Sequence, residues 1–125
     1  MIDLKNKSIL VVEDDELNFI YIDHILKLAR CNVTWVKSGL DAIEHARSFP
    51  ETDLILMDMQ LPDMNGEKAA TEIRAGDPGI PIIAQTASHV QYEKQKLIEA
   101  GCNDLITKPF GVNDLLDMIG KYIEV

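Results

Sequence analysis

The chain has 125 residues, 46% of them hydrophobic, and a formal net charge of −9 at pH 7. That length and apolar content suffice for one domain to bury a core without disulfides or structural metal, and they exclude general disorder. The carboxylate excess argues against direct nucleic-acid binding and against an anionic membrane surface, and it leaves open a cation or a basic partner face.

Ser8–Val12 is a β-branched apolar run closed by Glu13-Asp14-Asp15, and it reads as a first strand. Glu16–Arg30 follows as a helix. Its Leu17, Ile20, Ile25 and Leu28 recur at near-helical spacing, and Phe19, Ile22 and Leu26 add a second stripe. Burial over much of this helix is therefore expected. Asn32–Val36 reads as a second strand and Gly39–Phe49 as a second helix. Asp53–Met57 is the third strand, ending at Asp58. Turn residues crowd Met59–Gly66, and helix resumes from Glu67 to about Ala75. Pro78-Gly79-Ile80-Pro81 breaks the chain before a fourth strand, Ile82–Thr86. Val90–Ala100 is a fourth helix with Gly101 as its C-cap. Leu105–Thr107 is a short fifth strand, and Val112–Ile123 a last helix opened by Gly111 or Asn113.

The strands are nearly continuous apolar runs, as expected of strands buried on both faces of a parallel sheet. Five strand–helix units in strict alternation imply one α/β domain over residues 1–125 with a doubly wound five-stranded sheet. Cys31 and Cys102 show no metal spacing and read as buried thiols in a reducing compartment. The first residues carry no signal-peptide core, and no apolar run is long enough to span a bilayer, so a cytoplasmic protein without a membrane partner is expected.

In open parallel sheets, ligands sit outside the carboxyl ends of the strands. The expected strand ends carry Glu13-Asp14-Asp15, Asp58, Thr86-Ala87-Ser88 and Lys108-Pro109-Phe110. Several carboxylates at one rim repel one another, and a hard divalent cation with oxygen ligands, magnesium above all, relieves that repulsion. Lys108 adds a positive charge and Thr86 a hydroxyl, a set suited to a phosphoryl group in transfer. A lone aspartate at a strand end, Asp58, is the candidate acceptor. Taken singly, Asp14 and Asp15 read as a helix N-cap, Asp58 as a turn residue, Thr86 as a strand end and Lys108 as a solvated lysine. Their joint placement is what makes a site.

At these residues the chain resembles the CheY-like receiver family of response regulators. The resemblance rests on Ile9-Leu10-Val11-Val12-Glu13-Asp14-Asp15, Leu56-Met57-Asp58-Met59-Gln60-Leu61-Pro62-Asp63-Met64-Asn65-Gly66, Pro81-Ile82-Ile83-Ala84-Gln85-Thr86-Ala87 and Lys108-Pro109-Phe110. It implies a flavodoxin-like fold with strand order 2-1-3-4-5. It also implies phosphorylation of Asp58, with Asp14 as direct ligand of magnesium or manganese and Glu13 reaching the metal through water. Gln60 would supply a backbone carbonyl, Thr86 the switching hydroxyl and Lys108 the pairing cation, with a cis Lys108–Pro109 peptide. Partners would be a histidine kinase or histidine phosphotransfer domain and a downstream protein target. The domain would act on itself rather than turn over a substrate. It would stand alone or belong to a longer hybrid kinase. Leu105 departs from the pattern: the family often places there an aromatic ring that follows the hydroxyl switch. A receiver serving as phosphate sink or relay, without its own output, is the alternative.

Other classes fit less well. A haloacid-dehalogenase-type phosphatase needs a second aspartate two residues after the nucleophile, where this chain has Gln60. A flavodoxin-like FMN carrier needs a phosphate loop after the first strand, where Glu13-Asp14-Asp15 would repel phosphate. A degenerate binding module would not need Asp14, Asp58, Thr86 and Lys108 together. His24, His45 and His89 read as structural or surface residues, and Trp35 and Phe110 as packing residues.

Overall fold

Apolar strands alternate with amphipathic helices along the chain, and that order sets the architecture. The computed structural model describes residues 1–87 and 91–124, with only the backbone of 91–93. Its elements are β1 Ser8–Val12, α1 Glu16–Leu28, β2 Asn32–Val36, α2 Gly39–Ser48, β3 Leu54–Asp58, α3 Gly66–Gly76, β4 Ile82–Thr86, α4 Gln91–Ala100, β5 Asp104–Thr107 and α5 Val112–Gly120. The strands pair in one five-stranded parallel sheet of order β2-β1-β3-β4-β5. This is the doubly wound α/β fold expected from the sequence.

Every strand position of β3 and β4 is buried because the sheet is covered on both faces. On one face Ile9, Val11, Leu54, Leu56 and Ile83 pack against Ile22, Ile25 and Leu26 of α1 and Leu115 and Ile119 of α5. On the other, Leu10, Val12, Ile55, Met57 and Ala84 meet Ala42 and Ile43 of α2, Ala69 and Ile73 of α3 and Leu97 of α4. Each large aliphatic side chain so buried stabilises the fold by roughly 1.5–3 kcal/mol. Register then levels the strand ends: Val12 lies beside Val36 and Met57, Asp58 beside Gln85, and Thr86 beside Thr107. The charged strand ends therefore share one rim.

Boundaries move where tertiary bonds intervene. Helix α1 stops at Leu28, two residues early, since Arg30 adopts φ 72° and the chain turns into β2. Asp53 lies outside β3 and instead accepts a 2.8 Å bond from the Ser8 amide, while Asp58 belongs to the strand. Helix α3 begins at Gly66, capped by the Asn65 side chain, and α5 ends at Gly120 rather than Ile123. The Gly111 N-cap and the Gly101 C-cap, at φ +112°, stand where expected. The expected start of the fourth helix at Val90, together with Ser88 and His89, lies outside the described residues.

The broad burial expected of α1 is corrected. Ile22, Ile25 and Leu26 are buried, but Leu17 is 78%, Ile20 53% and Leu28 49% exposed. A helix lying on a sheet presents one stripe to the core, and these three point away from it. Trp35 on the edge strand β2 stacks on Phe19, with ring centroids 4.0 Å apart.

The loop from Met59 to Asn65 is drawn back onto β3. The Gly66 amide donates to the Met59 carbonyl at 3.0 Å, and Gln60 and Asn65 form a bridge. A Cβ at Gly66 would run into the Asp58 carbonyl oxygen and come within 2.8 Å of Met59 Cα, both backbone. Gly66→Ala is expected to destabilise the fold by about 1–3 kcal/mol, the range for overpacking a tight site. A urea midpoint lowered without change in slope would register this; an unchanged midpoint would show that the loop yields freely.

Candidate functional site

Three carboxylates and one ammonium meet at the carboxyl rim of the sheet. Glu13 directly follows β1 and is tied to β2 by its amide, which donates to the Val36 carbonyl at 3.0 Å. Asp58 ends β3. Lys108 arrives from the segment after β5, its own amide bonded to the Thr86 carbonyl at 2.8 Å. Its Nζ stands 3.2 Å from Glu13 Oε2 and 3.3 Å from Asp58 Oδ2, bridging the two buried acids. Glu13, Asp14 and Asp58 each place a carboxylate oxygen within 4.8 Å of the others, a spacing that can hold a metal ion. Asp14 is exposed, so the cluster opens to solvent on that side.

Charge crowding is visible in Glu13. Its side chain is fully buried, and its carboxyl is held above the usual range, first by burial and then by its hydrogen-bonded contact with Asp58. Asn18 and Lys108 counter that rise by donating to it. A hard cation acts in the same sense as Lys108, favouring the ionised cluster.

Two cavities adjoin here. One, of about 450 Å³, is lined by Glu13, Asp14, Asp15, Asp58, Gln60 and Lys108 among others. The second, of about 430 Å³, runs from Asp58 and Lys108 past Gln85 and Thr86 toward Leu97 of α4. Among the described residues, Asp58 is the carboxylate that lines both.

The expected residues fall as follows. Asp15 is a helix cap: its Oδ1 accepts from the Leu17 amide at 3.0 Å and from Asn18 at 3.3 Å. Gln60 edges both cavities, and its amide donates to Asp58 Oδ1 at 3.0 Å. Thr86 ends β4, largely buried, beside the second cavity. Leu105 is half-buried in β5, next to Ala84, against the core on the α2–α3–α4 side. The Lys108–Pro109 peptide is cis. His24 is exposed, and His45 stacks on Phe49 away from the rim. Burial pushes the Cys31 and Cys102 thiols up to about 11, so neither is a nucleophile at neutral pH.

Sequence reasoning missed four residues. Trp35 donates its indole N–H to the Glu13 carbonyl at 2.7 Å, which makes it more than a packing residue. Asp63 accepts from the Gly39 and Leu40 amides at 2.8 and 2.9 Å, latching the β3–α3 loop to the start of α2. Those bonds hold its carboxyl below the usual range. Asn18 and Gln85 join Glu13 in a polar chain. These last two were legible as polar residues inside apolar stripes; Trp35 and Asp63 carry no local signal.

The chain matches the response regulator receiver domain family over residues 9–120. The polar-differentiation response regulator DivK of Brucella anthropi is 32% identical over 119 residues, covering 94% of this chain and 96% of the relative. The receiver domain of sensor histidine kinase PA1611 from Pseudomonas aeruginosa PAO1 superposes with TM-score 0.85 at 36% identity, covering 93% of this chain and 96% of that one. That crystal structure has a magnesium ion coordinated in its active-site cleft. A chain of the Saccharomyces cerevisiae co-crystal of the histidine phosphotransfer signaling protein Ypd1 with the receiver domain of its downstream response regulator Ssk1 gives TM-score 0.89 at 29% identity. It covers 98% of this chain and 91% of that one.

Saturating magnesium is expected to raise stability by ~1–3 kcal/mol, the linkage expected at ten to a hundred times the dissociation constant. Asp14→Ala should lose most of that gain, yet be at least as stable as wild type without metal, because one repelling charge is gone. Thermal melts with and without magnesium would check both; equal rises would remove Asp14 from the ligand set.

Proposed function

Since the chain belongs to the response regulator receiver domain family, the phospho-signalling module of two-component systems, we propose that Asp58 is the carboxylate that accepts the phosphoryl group. The observation that carries this reading is the position of Asp58, which lines both cavities and contacts Lys108. In transfer from a phosphohistidine, the P–N bond breaks with its electrons returning to the imidazole nitrogen. A P–O bond forms to an Asp58 carboxylate oxygen. Negative charge spreads over the equatorial phosphoryl oxygens. Lys108, 3.3 Å from Asp58, pairs with that charge, and the Gln60 amide holds the Asp58 carboxylate in orientation. A bound magnesium or manganese ion would be held by Asp14, Asp58, the Gln60 carbonyl and, through water, Glu13, and would supply further neutralisation of the phosphoryl oxygens.

On this reading residues 1–125 act as one receiver domain that catalyses its own phosphorylation and dephosphorylation. Thr86 turns its hydroxyl toward the phosphoryl group, shifting an equilibrium at the adjoining face of α4, β5 and α5. Leu105, lacking a ring and a hydroxyl, gives that face a shallower rearrangement than an aromatic would.

The donor is a histidine kinase or a histidine phosphotransfer domain. Helix α1 begins directly after the acidic cluster, and Leu17, Ile20 and Tyr21 in its first half are exposed apolar side chains near the rim. A donor whose histidine must reach Asp58 finds its apolar footing there.

Two outcomes are expected. Acetyl phosphate with magnesium should add one phosphoryl group to the wild type and none to Asp58→Asn, read by intact mass and peptide mapping. Labelling of the variant at another aspartate would displace Asp58. Ile20→Lys should slow transfer from a phosphorylated histidine phosphotransfer domain by tenfold or more, roughly the loss of one interface anchor, while the acetyl phosphate rate stays unchanged. Equal loss with both donors would show that α1 shapes the site rather than the docking.

A further inference from the structure

Gln85 is a polar residue in the most apolar part of the molecule. It is fully buried in β4, after Ile82, Ile83 and Ala84, and in register with Asp58. Its Oε1 accepts from Asn18 Nδ2 at 3.4 Å, but its Nε2 is buried and has no hydrogen-bond partner among the described residues. Native proteins leave few buried donors unpaired, so this one needs a reason.

The reason lies one residue further along. Asn18 Nδ2 also donates to Glu13 Oε2, the oxygen that receives Lys108 Nζ at 3.2 Å. Glu13 Oε2 already accepts from the Lys108 ammonium, and Asn18 turns its amino group, its only side-chain donor, toward the same oxygen. That amino group then faces Gln85, which must answer with its carbonyl, and Nε2 is left pointing away. Flipping Gln85 would set donor against donor. The orphan donor is thus the consequence of orienting Glu13, and a strand selected for packing alone would carry methionine or leucine at this position.

We propose that Asn18 and Gln85 are positioning residues for the Glu13 carboxylate: Gln85 aligns Asn18, and Asn18 holds Glu13 Oε2, the oxygen it shares with Lys108. Without that hold, Glu13 keeps the Lys108 ammonium and the Asp15 amide, bonded to its Oε1 at 3.2 Å, as its partners. It then swings toward Lys108 and draws the ammonium away from Asp58. The inference rests on the reading of Asp58 as phosphoacceptor with a divalent cation beside it. It assigns a role to two residues outside the acceptor, metal and switch positions.

The test compares wild type, Gln85→Met, Asn18→Ala and the double variant, alone and in a Glu13→Gln background. Magnesium affinity is read from the fluorescence of Trp35, the sole tryptophan, whose indole is bonded to the Glu13 carbonyl. Phosphorylation by acetyl phosphate is followed at saturating magnesium, and melting temperature separately. Gln85→Met should melt no lower than wild type, because the unpaired donor is gone, yet bind magnesium about tenfold more weakly, as loss of an outer-shell partner does, and phosphorylate more slowly. The double variant should be no worse than Asn18→Ala, and either substitution should matter much less in the Glu13→Gln background, where residue 13 carries no charge to be held against Lys108. Gln85→Met and Asn18→Ala proteins that bind magnesium and take phosphate as wild type does would overturn the inference while leaving the Asp58 reading intact. Effects that persist undiminished in the Glu13→Gln background would also overturn it. A wild type that neither binds magnesium nor takes phosphate would remove both.

Discussion

Repulsion among Glu13, Asp14 and Asp58 is the constraint around which the rest of the molecule is arranged. Two of these acids are almost completely buried, and all three lie within metal-sharing distance. Like charges at that spacing are unfavourable in a medium poorer in water than the surface. Lys108 offsets part of the cost by touching both Glu13 and Asp58. The remainder leaves a cluster that gains from any incoming cation. Such a cluster contributes no stability of its own, which has to come from the two apolar layers on either side of the sheet.

The parallel sheet is what brings these groups together. Its register levels β1, β3 and β4 so that residues 13, 58 and 86 come from far-apart stretches of sequence to one edge. The loops at that edge are then pinned. Asp63 reaches across to α2, Asn65 caps α3, and Gly66 lets the backbone fold close against Asp58. On the other side Trp35 and Asn18 hold Glu13 by its carbonyl and its carboxylate. The rim is a surface whose positions are set by bonds from four different elements, which suits chemistry that depends on placing a phosphoryl group between fixed charges.

Around this rim the surface is unequal. Helix α1 carries exposed apolar side chains near the acidic cluster, while α3 and α4 are joined by the Lys96–Glu67 ion pair at 3.5 Å. Among the described residues no helix is long and apolar enough to cross a membrane. The chain belongs to the response regulator receiver domain family. The exposed apolar face of α1 and the half-buried Leu105 of β5 belong to opposite sides of its sheet.

Much of this is legible in the amino-acid sequence. Continuous apolar runs of strand length can be satisfied only by a sheet covered on both faces, so alternation with helices determined the α/β class, and the polar residue at the end of each run marked the rim. Glu13, Asp14, Asp58, Thr86 and Lys108 were found this way because backbone periodicity is local and strand ends are punctuated by charge. What only the tertiary structure decided were relations between side chains distant in sequence. Leu17, Ile20 and Leu28 face solvent, although their spacing matches a buried stripe, because a helix on a flat sheet can bury one stripe and the choice between two is made by packing. Asp63, Trp35 and Gln85 took their bonds from partners 24, 22 and 67 residues away. A hydrogen bond across such distances depends on how layers dock, and docking is settled by the whole core at once rather than by any segment of the chain.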